Sequence, residues 1–239
     1  MRKSGIAAAL AAALAASSAL AETAAPQATA STTAPAPQRV RGTIEAYDPV
    51  SRMLTVTTGK TKTATVTLPA NLRIVYDQRR KVADIKQGDF IGAAALKGAD
   101  GKLRAQQVAV FPEELRGMGE GQYPMGDPAS NRLMTNATVS GVAAAAPNNG
   151  TVSVTYRGAE AGADGVCGGH ASAAAGAGGC SGDAQIVIAP GIPVIALMLG
   201  DETLLVPGAA VSVTAGATPE GTLQATRLTV EKDGVKPIL

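Results

Sequence analysis

Val40-Arg41-Gly42-Thr43-Ile44-Glu45-Ala46-Tyr47 alternates: Val40, Gly42, Ile44 and Ala46 fall on one side of an extended chain, Arg41, Thr43, Glu45 and Tyr47 on the other. Successive side chains of a strand point to opposite faces, so this period of two reads as a half-buried strand. The pattern continues outward. Leu54 and Val56 alternate with Thr55 and Thr57, and Ala64, Val66 and Leu68 alternate with Thr63, Thr65 and Thr67. Turn-prone Asp48-Pro49 and Gly59-Lys60 separate these strands. Arg73 to Tyr76 reads as a short fourth strand, Phe90 to Leu96 as a fifth and Leu103 to Phe111 as a sixth. Val82 to Gln87 has room for one helical turn, closed by Gly88, and Ala99-Asp100-Gly101 carries hairpin chemistry.

The second half repeats this grammar. Glu220-Gly221-Thr222-Leu223-Gln224-Ala225 matches Asp100-Gly101-Lys102-Leu103-Arg104-Ala105 at an offset of 120, as Pro207-Gly208 matches Gln87-Gly88. Pro190 answers Pro69 at 121, and Val139-Ser140-Gly141 answers Val40-Arg41-Gly42 at 99, which leaves about 21 extra residues in the second copy. They are visible in the Gly/Ala-rich run Gly158 to Asp183, which interrupts a hairpin between Val152–Thr155 and Gln185–Ile188. Ile186 to Leu199 is apolar but carries Pro190, Gly191 and Pro193, so it reads as two strands and a turn. Six short strands in about 70 residues expose edges unless the sheet closes. The expected fold is all-β: two tandem small OB-like or SH3-like barrels at 39–111 and 137–233, joined by an irregular Gly-rich connector (112–136). The insertion is placed at 158–183 and a tail at 234–239.

Before the first barrel, Met1-Arg2-Lys3, the Ala/Leu-rich stretch Ile6 to Leu20 and the small-x-small site Ala19-Leu20-Ala21 form a secretory signal peptide cleaved at about Ala21/Glu22. The stretch is short against the roughly 20 apolar residues that span a bilayer, and Glu22 in place of Cys argues against a lipoprotein anchor. Residues 22–38 are Ala, Thr, Pro, Ser and Gln with no period, too poor in apolar surface to offset their ordering entropy, and read as a disordered linker. The expected location is periplasmic or secreted, with no integral membrane segment after cleavage.

Composition narrows the function. The 239 residues are 46% hydrophobic and 3% aromatic, with 2 Cys, 1 His and no Trp. The net charge of +2 falls to zero without Arg2 and Lys3, leaving 19 basic against 19 acidic side chains. A neutral chain with few stacking aromatics lacks the field and the platforms that hold nucleic acid. Its one basic run, Arg79-Arg80-Lys81, reads as a solvated turn.

The connector Phe111-Pro112-Glu113-Glu114-Leu115-Arg116-Gly117-Met118-Gly119-Glu120-Gly121, followed by Met134-Thr135-Asn136-Ala137-Thr138-Val139, resembles secreted bacterial proteins carrying the domain of unknown function numbered 5666. Val40 to Glu45 and Ala83 to Gly92 share the likeness, which covers Arg39 to Val139 well and the second half only as a repeat. The resemblance implies β-barrel repeats and an extracytoplasmic compartment; it brings no activity with it. Some relatives carry a metal-transporter permease label, against which the lack of membrane segments argues. Relatives often place His and Trp after the Gly-Glu-Gly; Gln122-Tyr123-Pro124-Met125 stands here, a departure that weakens a metal site at this point.

Cys167 and Cys180, in one insertion of an exported chain, read first as a disulfide closing a 14-residue loop, with free thiols or metal binding as alternatives. The metal reading takes Cys167, His170 and Cys180 as ligands, although zinc asks for four donors, or three and a water. Met118, Met125 and Met134 could instead offer thioethers to copper(I), or simply pack the connector. Glu113, Arg116, Glu120 and Asp127 form a possible ligand-binding cluster in the connector, against the plainer reading of solvated or paired loop charges. No G-x-S-x-G, H-E-x-x-H or P-loop pattern occurs, and Gly117-x-Gly119-x-Gly121 lacks the strand and helix of a dinucleotide site. The sequence therefore predicts a non-catalytic interaction or structural module for an envelope protein or small ligand, with no cofactor. The alternative is a metal- or small-ligand-binding protein using the connector and the cysteine insertion.

Overall fold

A computed structural model describes residues 37–59, 62–126, 130–163, 165–171 and 179–238. The signal segment, nearly all of the linker, Asp127 and the middle of the Gly/Ala insertion lie outside them.

The described chain is all-β. Its strands are β1 (Gln38–Asp48), β2 (Met53–Thr58), β3 (Lys62–Thr67), β4 (Ile74–Arg80), β5 (Phe90–Lys97), β6 (Leu103–Val110), β7 (Gly121–Pro124), β8 (Arg132–Ala146), β9 (Asn149–Gly158), β10 (Glu160–Ala161), β11 (Cys167–His170), β12 (Cys180–Ile188), β13 (Val194–Gly200), β14 (Ala210–Ala217) and β15 (Leu223–Val230). Helical structure is confined to single 3-10 turns at Val82–Asp84, Glu113–Leu115 and Glu202–Leu204. The alternating apolar residues go inside, as period two requires: Val40, Ile44, Leu54, Val56 and Val66 are buried, while Arg41 and Glu45 face out.

The strand pairings form two closed cycles. In one, β1 pairs antiparallel with β2 and β14, β2 with β3, and β14 with β15; β15 returns to β3 through a short parallel contact of Leu223 with Val66 and Gln224 with Thr67. In the other, β8 pairs with β9 and β5, β9 with β12, and β5 with β6, closed by parallel contacts of Ile186 with Leu103 and Val187 with Arg104. Each cycle takes three strands from one half of the chain and two from the other.

The cores follow the cycles and cut across the halves. One packs Ile44, Leu54, Val56 and Val66 against Val211, Val213, Leu228 and Val230; the other packs Ile91, Leu103 and Val108 against Val139, Val152, Val154, Tyr156 and Ile186. Arg52 braces the first across the halves, its Nη1 lying 2.5 Å from Glu202 Oε1. A smaller cluster of Val75, Ala109, Leu115, Ile195 and Leu197 fills the junction.

β4 and β13 bridge the two cycles. They pair antiparallel from Ile74 opposite Gly200 to Arg80 opposite Val194, and lie parallel to β15 and β6 respectively. Equivalent residues stand 120 apart, and the ladder is centred on one equivalent pair, Asp77 opposite Leu197. A strand pairing with its own counterpart about a shared midpoint is the signature of a two-fold relation. The two halves of the chain are thus related by a pseudo-two-fold axis through this pair.

Hydrogen bonds correct the repeat offset at its start. Ile44 donates to Ala209 O and accepts from Gly208, as Val139 donates to Asp89 O and accepts from Gly88. Val139 therefore stands at the place of Ile44, an offset of 95, and does not answer Val40 at 99. Matching register shifts between Ile44 and Ala46 and between Val139 and Gly141 agree. The shared Val-x-Gly was a likeness of composition, whereas the bulge sets which residue turns inward. The offset becomes 98 at Leu54 and Val152, then 120 at Val66 and Ile186, so the added length lies between β9 and β12. There, too, the boundaries shift: the β9–β12 ladder runs on to Cys180 opposite Gly158, and the excursion itself is 159–179. Main-chain hydrogen bonds do not need apolar side chains, so the Gly/Ala composition did not mark the strand ends.

Candidate functional site

The connector and the insertion meet on one edge of the second cycle. β7 pairs with β8 on one side and with β11 on the other, Gly121 opposite His170 and Gln122 opposite Gly169; β10 then pairs with β11. Gly121 has φ 137° and a Cβ there would lie 2.1 Å from the Gly169 carbonyl oxygen, so only glycine lets β11 approach.

Glu120 sits under this edge, 9% exposed. Its Oε2 accepts from Arg157 Nη2 at 2.7 Å and Nε at 3.1 Å, and its Oε1 from the Arg157 backbone N–H at 3.1 Å. Hydrogen bonding to the Glu120 carboxylate, followed by its charge, holds the Arg157 guanidinium above its usual range. Both carboxylate oxygens are thus engaged by one residue of β9, which ties the connector to the cycle.

Glu113 and Arg116 form a separate, exposed pair at 2.6 Å, and Arg116 Nη2 also donates to the Gly88 carbonyl at 2.9 Å. The hydrogen bond from Arg116 holds the Glu113 carboxyl below the usual range. Between them, buried Leu115 anchors the turn in the junction cluster, and Arg73 Nη1 donates to the Glu114 carbonyl at 2.6 Å. Glu113, Arg116 and Glu120 therefore serve two distinct braces.

Cys167 and Cys180 are joined by a disulfide, with Cα atoms 5.5 Å apart. Cys167 is buried, and its carbonyl accepts from the Tyr156 hydroxyl at 2.9 Å. With the sulfurs bonded to each other, neither is a thiolate donor for a metal. His170 stacks on Tyr123 with ring centres 3.6 Å apart. The Tyr123 hydroxyl accepts from Asn136 Nδ2, which also donates to the Gly119 carbonyl at 2.9 Å. Burial is the first cause of the raised Tyr123 pKa. Among the described residues no three His, Cys, Asp or Glu side chains are grouped to hold a metal ion. Met118 lines a cavity with Phe111 and Leu115, whereas Met134 stands opposite Tyr123 on β8.

Searches against protein-family models, curated proteins and solved structures find no match to this chain. No helix among the described residues is long and apolar enough to cross a membrane.

One feature escaped the sequence reading, and a second was noted there only as a solvated turn. Asp77 is 1% exposed; its Oδ2 accepts from the Ile238 N–H at 3.0 Å, and its Oδ1 has no hydrogen-bond partner. Burial pushes its pKa up, only partly offset by that hydrogen bond. An aspartate between Tyr76 and Gln78 on a short strand gives no local sign of burial. The other is Arg79-Arg80-Lys81, which lies at the end of β4 on the rim of a cavity.

Proposed function

We propose that the protein is a non-catalytic periplasmic or secreted binding module, made of two OB-like barrels that exchange strands and carried on an N-terminal arm. One observation carries the reading: among the described residues, the carboxylates and cysteines that the sequence singles out in the connector and insertion are engaged within the chain, Glu120 with Arg157, Glu113 with Arg116 and Cys167 with Cys180. Five strands per cycle, each paired on both sides, support reading each cycle as a small barrel of the OB type, a scaffold that binds through its faces and loops. The disulfide suggests an oxidising, extracytoplasmic compartment. The resemblance to proteins with domain of unknown function 5666 supports the same compartment and barrel repeats.

A thermal-shift screen of the full chain across metals, glycans and peptides tests the reading, because a ligand that binds only the native state raises the melting point. A pull-down from envelope extract that recovers no partner above background, together with a blank screen, counts against it. Stoichiometric metal in protein purified from its native compartment favours metal handling instead. Measurable turnover on any substrate overturns the reading.

A further inference from the structure

A cavity of about 540 Å³ opens where the end of β4, the loop leading into β13 and the chain beyond β15 meet. Four cations stand on its rim, Arg79, Arg80, Lys81 and Lys236, and no carboxylate side chain among the described residues lines it. None of the four is ion-paired among the described residues. The floor is apolar: Val82 and Ile195 are buried there, and Ile192, Val194 and Val235 extend it. Like charges gathered around an apolar cleft repel one another; an anion relieves that repulsion while an attached apolar body leaves water.

The walls are in place before any ligand arrives. The β4–β13 ladder sets Arg79 opposite Ile195 and Arg80 opposite Val194. The chain beyond β15 is hooked by the Ile238 N–H on Asp77, and the Lys232 ammonium lies 4.2 Å from the centre of the Tyr76 ring. A site already ordered loses less entropy on binding. The volume falls in the range of small-molecule sites, about 300–1,000 Å³.

We infer that this cleft binds an amphipathic anion, one apolar chain or ring bearing a carboxylate, sulfonate or phosphate head. The head sits between Arg79, Arg80 and Lys236, and the body lies along Val82, Ile192 and Val235. No aromatic side chain among the described residues lines the cleft, so a nucleic-acid base finds no platform on them. The inference deepens the binding-module reading and rests on it only in treating the protein as a binder. An empty cleft would leave that reading standing, and turnover would remove that reading without touching the cleft.

Isothermal titration of the full chain with laurate, inorganic phosphate and dodecyltrimethylammonium separates head from body. Laurate binds saturably at one site, at least about tenfold tighter than either of the others. Arg79→Gln with Arg80→Gln, both exposed at a strand end, weakens laurate about tenfold at an unchanged melting point. Lys236→Gln, on another segment, weakens it in the same direction and guards against a folding defect in the first variant. Lys86→Gln with Lys102→Gln removes as much charge away from the cleft and leaves binding unchanged. Laurate that does not saturate, phosphate that binds as tightly, or charge variants that all behave alike would each overturn the proposal.

Discussion

Asp77 and Leu197 face each other at the centre of the β4–β13 ladder, counterparts 120 residues apart with opposite chemistry. Leu197 is an apolar neighbour of Val75, Ala109 and Ile195, whereas Asp77 is a buried acid that hooks the chain beyond β15 through Ile238. The two halves share a backbone plan and differ where the axis passes.

That difference has a pH signature. Burial raises the Asp77 pKa, so the folded state holds its proton more tightly than the unfolded chain. Stability from this group is fully present below the unfolded carboxyl pKa, near 4, and falls as pH rises through the raised folded value. Asp77→Asn keeps an acceptor for the Ile238 N–H and removes the charge. Relative to the parent, the variant gains about 1 kcal/mol between pH 4 and neutrality. Urea melts of both proteins across that window check it; a constant difference counts against a buried, perturbed Asp77.

The strand exchange predicts that damage crosses the halves. Leu228 on β15 is fully buried among Leu54, Val56 and Val66 of the first half. Leu228→Ala costs about 2–5 kcal/mol. In hydrogen exchange, the amides of β1, β2 and β3 should lose more protection than those of β8 and β9. Loss confined to second-half strands would contradict the exchange.

Glu120 and Arg157 are unequal partners, one nearly buried and the other with its side chain 74% exposed. Arg157→Ala leaves the carboxylate with one backbone N–H and lowers stability, by less than for a fully buried pair because water reaches the guanidinium. Glu120→Gln removes the charge itself and costs less than about 1 kcal/mol. Urea denaturation ranks the two; the reverse order would show that the pair contributes little.

The disulfide constrains the insertion. Opening the bridge by Cys167→Ser with Cys180→Ser loses about 3 kcal/mol on the chain-entropy estimate for a 14-residue loop. Exchange should rise first in β10, β11 and β7, which the bridge holds against β9 and β12. Unchanged exchange there would mean that the β7–β11 ladder holds the edge unaided.

Much of this was legible one strand at a time. The alternation from Val40 to Tyr47, the hairpin chemistry at Ala99-Asp100-Gly101, the single turn after Lys81 and the break at Pro190-Gly191 all correspond to observed elements. The disulfide was the first of three readings of the cysteines, from their number, their shared insertion and the expected oxidising compartment, and the structure shows it. The burial of Glu120 was not legible, because it depends on Arg157, 37 residues away on β9. Nor were β10, only two residues long, and β11, whose paired glycines resemble a loop until Gly121 and Gly169 are seen to let two backbones touch.

The amino-acid order alone determined that this chain makes strands, where most of them turn, and that its two halves repeat, because those properties come from alternation and turn residues within a few positions of each other. Only the tertiary structure decided which half completes which core. β14 and β5 offer nearly interchangeable ladders to β1 and β8, since backbone hydrogen bonds do not distinguish one apolar strand from another. In the folded chain β14 pairs with β1 and β5 with β8, while β4 and β13 pair with each other between the two cycles. Asp77 is buried on that central ladder, and Arg79, Arg80 and Lys236 gather around one cavity at its end.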